Sequence, residues 1–489
     1  MDPSQMGYAE AAVVKTKIIA TVGPACASVE SLRELALAGA DLFRLNFAHA
    51  EHDWLAGIVG SIREISAGLR RPIGILADLS GPKIRLGEVS DGAIECTEGS
   101  RFEFVREPGL AGPTRLTSNY EGLIDDVGPG DRILLADGTV SLRVVEKPPG
   151  GERIVCVVER PGVIRSRQGI TLPGVQTSAP SLTDKDVTDL AWALEHEVDY
   201  VGQSFVRSAA DIRALRAAIE SHSPANPPHI IAKIEKMEAL SNIESILDET
   251  DAVMVARGDL GVEVDVARVP ALQKRIIRLC NQHRIPVITA TQMLDSMQKN
   301  DFPTRAEASD VANAVLDGSD AVMLSGETAI GRHPRKAVEM MSRIVQESER
   351  LVRSTRFGDL HTQERSRARQ VTEAVTLAAG TAAEHLGADL IVVATHSGRT
   401  AMAVSKQRSH VPILALSDRP ATARRMCLYW GVTPLETDAV STTPQELTRF
   451  VVDWGKRQKV LIAGSRIVVI GQSNWSQEPH DLMIVHAVT

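Results

Sequence analysis

The stretch 229–261 holds the residues best placed to do chemistry. Lys233 and Glu235 lie in HIIAKIEK, and Arg257, Gly258 and Asp259 lie in AVMVARGDLG. Carboxylate oxygens suit Mg²⁺, a hard ion that takes a few protein carboxylates and fills its shell with water or substrate oxygens. An ammonium beside them can balance negative charge that develops in a reaction. Two short apolar runs, 229–232 and 252–256, precede these charges and have the length of buried strands. Between them Met237, Leu240, Ile243 and Leu247 recur at helical spacing. Two parallel strands joined by a helix bring both charged ends to one edge of a sheet. One strand ending in charge would mean no more than a solvated rim. Two neighbouring ones, ending in KIE and GDLG, predict a functional edge.

The elements that must carry this edge repeat along the chain. Strands are expected at 18–22, 41–45, 73–77, 198–203, 229–232, 252–256, 286–290 and 320–324. Helices fit between them, as at 29–38, 272–280 and 306–316, with Ser28 and Thr183 placed to cap two of them. Most strands end in polar residues. Arg44, Asn46 and His49 follow the second, and Asp78, Ser80, Lys83 and Arg85 follow the third. Thr291 follows the seventh, and Ser325, Gly326 and Glu327 follow the eighth. Eight strands alternating with helices predict an α/β protein built on a (β/α)8 TIM barrel, with its active face at the carboxyl ends of the strands.

The alternation stops between about 86 and 179. Short runs at 132–135, 140–145 and 154–158, an Asp137-Gly138 turn and frequent Pro and Gly read there as an inserted small all-β domain. After a polar linker that starts near 348, a second alternation predicts a C-terminal α/β domain with a mixed sheet. Its strands are expected at 390–394, 411–416, 467–470 and 482–485, and its helices at 372–385, 421–429 and 444–454. The expected domains are thus the barrel at 13–85 and 180–350, the insertion at 86–179, and the C-terminal domain at 365–489.

Composition narrows the class. A chain of 489 residues exceeds one ordinary domain, and 43% hydrophobic with 24% charged residues fits a globular protein. A net charge of −8 with no long basic run argues against nucleic acid as a partner. No apolar run approaches the ~20 residues of a membrane span. Residues 1–12 lack a signal pattern. Cys26, Cys96, Cys156, Cys280 and Cys427 form no CxxC pair and read as reduced thiols of a cytoplasmic protein.

The motifs RLNFAH, GPKIR, IAKIEKMEAL, MVARGDLGVE, ITATQML and PTRAEASDVANAVLDGSDAVMLSGETA together resemble the pyruvate kinase family over nearly the whole barrel. The insertion and the C-terminal domain fall where that family has them. The resemblance implies transfer of a phosphoryl group from phosphoenolpyruvate to ADP, giving pyruvate and ATP. It makes Lys233 the lysine that stabilises the moving phosphoryl group and the enolate. Glu235 and Asp259 match ligands of Mg²⁺ (or Mn²⁺), and Gly258 and Asp259 match the backbone N–H groups that take the substrate carboxylate. Thr291 matches the hydroxyl near the carbon that is protonated, and Arg44 the arginine at the phosphoryl site. Asn46, His49, Arg85 and Lys185 match the nucleotide side. The insertion becomes a lid over the nucleotide, and the family implies a homotetramer.

Three departures from the family pattern cluster at one point. The usual form holds K⁺ with an Asn, a Ser, an Asp and the backbone carbonyl of a Thr. Asn46 and Asp78 are kept here, Ala48 stands at the Ser position, Leu79 at the Thr position, and GPEIR has become GPKIR. The expectation is that the Lys83 ammonium replaces K⁺, as in the K⁺-independent branch. In the C-terminal domain Thr395, Ser397, Gly398, Arg399 and Thr400 form a candidate phosphate cradle for a phosphorylated allosteric effector. A loop at 471–479 without Arg or Lys weakens the case for a bisphosphate. The alternative reading is a Mg²⁺-dependent barrel lyase or aldolase acting on pyruvate enolates. It shares the Glu/Asp pair but has little use for Arg85, Lys185 or a lid.

Overall fold

A computed structural model describes residues 14–48, 50–89, 92–106, 114–351, 367–472 and 480–489. His49, most of the expected linker and residues 473–479 lie outside that set. The eight barrel strands are β1 (Lys17–Thr21), β2 (Leu42–Asn46), β3 (Gly74–Asp78), β4 (Tyr200–Gln203), β5 (His229–Ile234), β6 (Ala252–Ala256), β7 (Val287–Ala290) and β8 (Ala321–Leu324). They close into a parallel barrel in sequential order, with β1 pairing both β2 and β8. Six of the eight are buried at every position, as in a parallel sheet covered by helices. β5 runs two residues past its apolar stretch, so Lys233 lies inside the strand rather than after it.

The caps work as their residue types require. Ser28 accepts from the Ser31 N–H ahead of helix Val29–Ala38. Thr183 closes a capping box with Asp186 ahead of helix Asp184–Glu195. The single helix expected between β5 and β6 is two, Met237–Ser241 and Ile243–Glu249. Asn242 separates them, with its side-chain amide donating to the Arg207 carbonyl at 2.9 Å.

One device recurs at the amino ends of β2, β4, β6 and β8. Asp41, Asp199, Asp251 and Asp320 immediately precede these strands. Each donates its N–H to the preceding odd strand, or to the residue at its start, at Ile18, Ile75, Ile230 and Val287. Each carboxylate then accepts the N–H of that same partner residue, at 2.8–3.0 Å. A side chain thus finishes the ladder where backbone partners run out, pairing the strands two by two. The C-terminal domain docks on this end. Arg424 reaches Asp199 at 2.6 Å, Lys406 and Arg408 reach Asp320 at 2.6 and 3.1 Å, and Lys17 donates to the Val432 carbonyl at 2.8 Å.

The insertion has its own core, including Phe102, Phe104, Leu116, Ile133, Leu142 and Ile154. A six-stranded sheet and a two-stranded ribbon surround it. The C-terminal sheet orders Val432–Glu436, Ile413–Ser417, Leu390–Ala394, Arg466–Gly471 and Leu482–Ala487, with only the last strand antiparallel. Strand Val432–Glu436 carries Pro434, which hides it in the sequence and which an edge strand tolerates. All five cysteines are free and buried. Among the described residues no helix is long and apolar enough to cross a membrane.

Candidate active site

The carboxyl ends of β2 to β5 converge on Lys233. Its Nζ lies 2.7 Å from Ser204 Oγ, 3.0 Å from Glu235 Oε1 and 3.2 Å from Asp78 Oδ1. The two carboxylate contacts are ion pairs, and Asp78 Oδ1 is buried with no hydrogen-bond partner. Lys233 is 8% exposed, and Asp78 and Glu235 are each 1% exposed. Burial works to lower the lysine's pKa, but Asp78 and Glu235 outweigh it and raise it above its ordinary value. Lys233 is therefore a fixed cation in a largely water-free place.

Asp78 is clamped from two sides. Arg44 Nε meets its Oδ2 at 2.6 Å, and Arg44 Nη1 reaches Thr21 Oγ1 at 3.2 Å. Burial would raise the Asp78 carboxyl, yet Lys233 and Arg44 prevail and hold it below the usual range. Glu235 goes the other way. Burial first, and the nearby charge of Asp259 after it, push its carboxyl up against the pull of Lys233. Its Oε2 accepts the Phe205 N–H at 2.8 Å.

Glu235 and Asp259 are thus two mutually repelling carboxylates, one buried and one whose side chain is 43% exposed. That donor set fits a divalent cation reached from the open side. Among the described residues no group of three His, Cys, Asp or Glu side chains converges to cage a metal. A pair of carboxylates suits an ion that completes its shell with substrate oxygens, as Mg²⁺ does.

Asp259 and Gly258 lie in the first turn of helix Arg257–Glu263, directly after β6. Thr291 follows β7 at φ 65°, and Gln292 follows it at φ 54°. A left-handed conformation costs a residue other than glycine about 1–3 kcal/mol. It leaves Thr291 Oγ1 accepting from the Gly258 N–H at 2.8 Å and donating to the Ala290 carbonyl at 2.7 Å.

The remaining expected residues are placed less uniformly. Lys185 donates to the Phe47 carbonyl at 2.9 Å and to Asp189 at 2.6 Å, which sets it beside Asn46 at the end of β2. Asn46 Oδ1 accepts the Ala48 N–H at 3.2 Å. Arg85 sits at the root of the insertion, with its guanidinium on the Arg167 carbonyl at 3.2 Å. Lys83 does not touch Asp78. Its ammonium is 4.0 Å from Asp259 Oδ1, because Asp78 already carries two cations whereas Lys83 is the only ion-pair partner of Asp259 among the described residues. The Leu79 carbonyl is occupied by the Ser204 hydroxyl at 2.7 Å. In the C-terminal loop, Thr395 Oγ1 accepts the Gly398 N–H at 3.0 Å, Ser397 Oγ lies 3.4 Å from Arg399 Nε, and Thr400 Oγ1 meets His480 at 3.0 Å. Both threonine hydroxyls are thus used within the fold, and Asp418 adds a carboxylate 2.7 Å from His396.

Sequence reasoning missed Ser204, Thr21 and Arg257. Ser204 had a legible signal, a polar residue just past β4. Arg257 was read only as a charge at a strand end, and nothing in the sequence says that it turns away from the cleft. The cleft itself lies between barrel and insertion, with Lys83, Glu235 and Asp259 on one wall and Asp137, Gly169 and Thr171 on the other.

Residues 13–338 match the family model for the pyruvate kinase barrel domain, and residues 373–486 match that for the pyruvate kinase alpha/beta domain. A pyruvate kinase of Geobacillus stearothermophilus is 41% identical over 482 residues, covering 97% of this chain and 80% of the relative. One from Corynebacterium glutamicum is 41% identical over 467 residues, covering 94% and 96%. A crystal structure of a pyruvate kinase from Cryptosporidium parvum superposes with a TM-score of 0.91 at 35% identity, covering 97% of this chain and 96% of that one. With both family models matched along the chain and relatives at about 40% identity, the chain belongs to the pyruvate kinase family of phosphotransferases.

Proposed function

We propose that the Lys233 cluster is where the phosphoryl group of phosphoenolpyruvate passes to ADP, yielding pyruvate and ATP in the last step of glycolysis. The observation that carries this reading is a lysine held charged by two buried carboxylates at the mouth of the barrel. Phosphoryl transfer asks for positioning and charge neutralisation more than covalent help. Lys233 faces the charge that spreads over the moving group and the enolate oxygen. Arg44, oriented by Asp78 and Thr21, adds a second cation at the phosphoryl site.

Glu235 and Asp259 are the residues that would hold Mg²⁺ or Mn²⁺, which when bound neutralises the substrate's carboxylate or enolate oxygen and its phosphate. Gly258 and Asp259 offer backbone N–H groups to the substrate carboxylate, the Gly258 N–H exchanging its bond to Thr291 Oγ1 for one to the substrate. The Thr291 hydroxyl stands where the enolate carbon gains its proton. Asn46, His49, Arg85 and Lys185 take the nucleotide, and the insertion closes over it. No K⁺ is required, because Ala48 has no side-chain oxygen and the Leu79 carbonyl and Asp78 already have partners. The protein works in the cytoplasm as a homotetramer. A coupled assay for pyruvate formed from phosphoenolpyruvate tests the reading. Formation that requires ADP and yields ATP supports it, and ADP-independent cleavage of a larger enolate donor would favour a lyase instead.

A further inference from the structure

Arg257 is 8% exposed and points away from the cleft. Its guanidinium spans three elements. Nη2 donates to the Thr291 carbonyl at 2.6 Å, the Gln292 carbonyl at 3.0 Å and Met293 Sδ at 2.8 Å. Nε reaches the Thr291 and Ala290 carbonyls at 3.2 and 3.3 Å. Nη1 meets Asp310 Oδ2 at 2.6 Å and Gln273 Oε1 at 3.4 Å. Asp310 lies on helix Arg305–Leu316 and Gln273 on helix Val269–Gln282, which flank β7 in the sequence. The carbonyls that Arg257 collects belong to the turn where Thr291 and Gln292 adopt left-handed backbone.

We propose that Arg257 is a positioning residue for the transfer reaction. It holds residues 291–292 in a conformation they would otherwise leave, and Asp310 fixes its rotamer. Two adjacent non-glycine residues at positive φ persist only where the surroundings over-determine them. A planar fork with several fixed donors does this where a flexible ammonium would not. The consequence lies on the other side of the turn. Only in this conformation does Thr291 Oγ1 face the Gly258 N–H, so the clamp registers the end of β7 against the helix that follows β6. The inference rests on the role given to Thr291 and Gly258 in the proposed function.

Steady-state kinetics of four variants test it: Thr291→Ala, Asp310→Ala, the two combined, and Asp310→Ala with Gln292→Gly. Asp310→Ala leaves every backbone carbonyl that accepts from Arg257 in place, so the fold persists. A slack turn is expected to lower kcat about 10-fold or more, with KM for phosphoenolpyruvate little changed. The combined Thr291→Ala and Asp310→Ala variant is expected to be no slower than Thr291→Ala alone. Gln292 is exposed, and glycine takes positive φ without strain, so Gln292→Gly is expected to restore much of the loss in Asp310→Ala. Wild-type turnover in Asp310→Ala beside an impaired Thr291→Ala overturns the clamp alone. So does additive loss in the double variant, or absence of rescue by glycine. Wild-type turnover in Thr291→Ala removes the threonine from the reaction, and the purpose of the clamp with it.

Discussion

Lys233 and Glu235 stand two positions apart at the end of β5, leave the same face of the chain, and meet with their charged atoms 3.0 Å apart. Each answers the other's burial, and Asp259 is the carboxylate that remains open to the cleft. Glu235→Gln and Asp259→Asn each remove one formal charge from a site with few protein ligands. Both variants are expected to need more Mg²⁺ for half-maximal rate, with Asp259→Asn folding as stably as the parent. Mg²⁺ titration of the initial rate checks this. Curves that overlay the parent's would place the metal elsewhere.

The monovalent-cation prediction draws on groups that are already engaged. Arg44 and Lys233 occupy Asp78, Ser204 occupies the Leu79 carbonyl, and Ala48 offers no side-chain oxygen. The enzyme is expected to reach full rate in tetramethylammonium buffer, unchanged by KCl at constant ionic strength. Lys83→Glu replaces the cation beside Asp259 with a second anion, which creates a place for an external monovalent cation there, and is expected to make K⁺ stimulatory. Strong K⁺ activation of the parent would overturn the expectation.

The insertion is tied back to the barrel at its second crossing, where Arg207 Nη1 donates to the Thr177 and Ala179 carbonyls at 2.9 and 3.0 Å. With Lys83 and Asp137 lining opposite walls of the cleft, rotation about the two crossings would shut out water that could accept the phosphoryl group. Small-angle scattering should show compaction on adding Mg²⁺, substrate and nucleotide together. An unchanged profile would count against a moving lid.

At the other end of the barrel, Asp320 balances Lys406 and Arg408 and also closes the β7–β8 ladder. Asp320→Ala removes the carboxylate that pairs with both buried cations, a loss of about 3–5 kcal/mol. Lys406→Met leaves Asp320 with Arg408 and should cost less. Burial lowers Lys406 to about 8 from 10.5, against the pull of Asp320. The unfolded chain therefore holds the proton between those values while the folded chain releases it, so folding gains as pH rises through that window. Melting temperatures at equal protein concentration should drop far more for Asp320→Ala than for Lys406→Met. The parent should gain on Lys406→Met between about pH 8 and pH 10.5.

Much of this was legible in the sequence because local signals and the fold agree. The run AVMVA is a barrel strand at its expected ends, and Ser28 and Thr183 cap the helices they precede. KIE and GDLG do lie on neighbouring strand ends. What escaped depends on direction in space. Lys83 is close in sequence to both Asp78 and Arg85, yet in space it lies beside Asp259 while Arg44 and Lys233 hold Asp78. Strand Val432–Glu436 was hidden by Pro434, and the outward turn of Arg257 has no periodic signature.

The central claim is that the fixed charge of Lys233 stabilises the transferring group rather than the bound substrate. Lys233→Met measures it most directly, by comparing kcat for ADP-dependent pyruvate formation with calorimetric binding of phosphoenolpyruvate in the presence of Mg²⁺. The account predicts a fall in kcat on the order of 10²-fold or more, with substrate and metal still bound within a few-fold of the parent. A variant that turns over at the parental rate, or one that loses rate only because it no longer binds phosphoenolpyruvate, would contradict it.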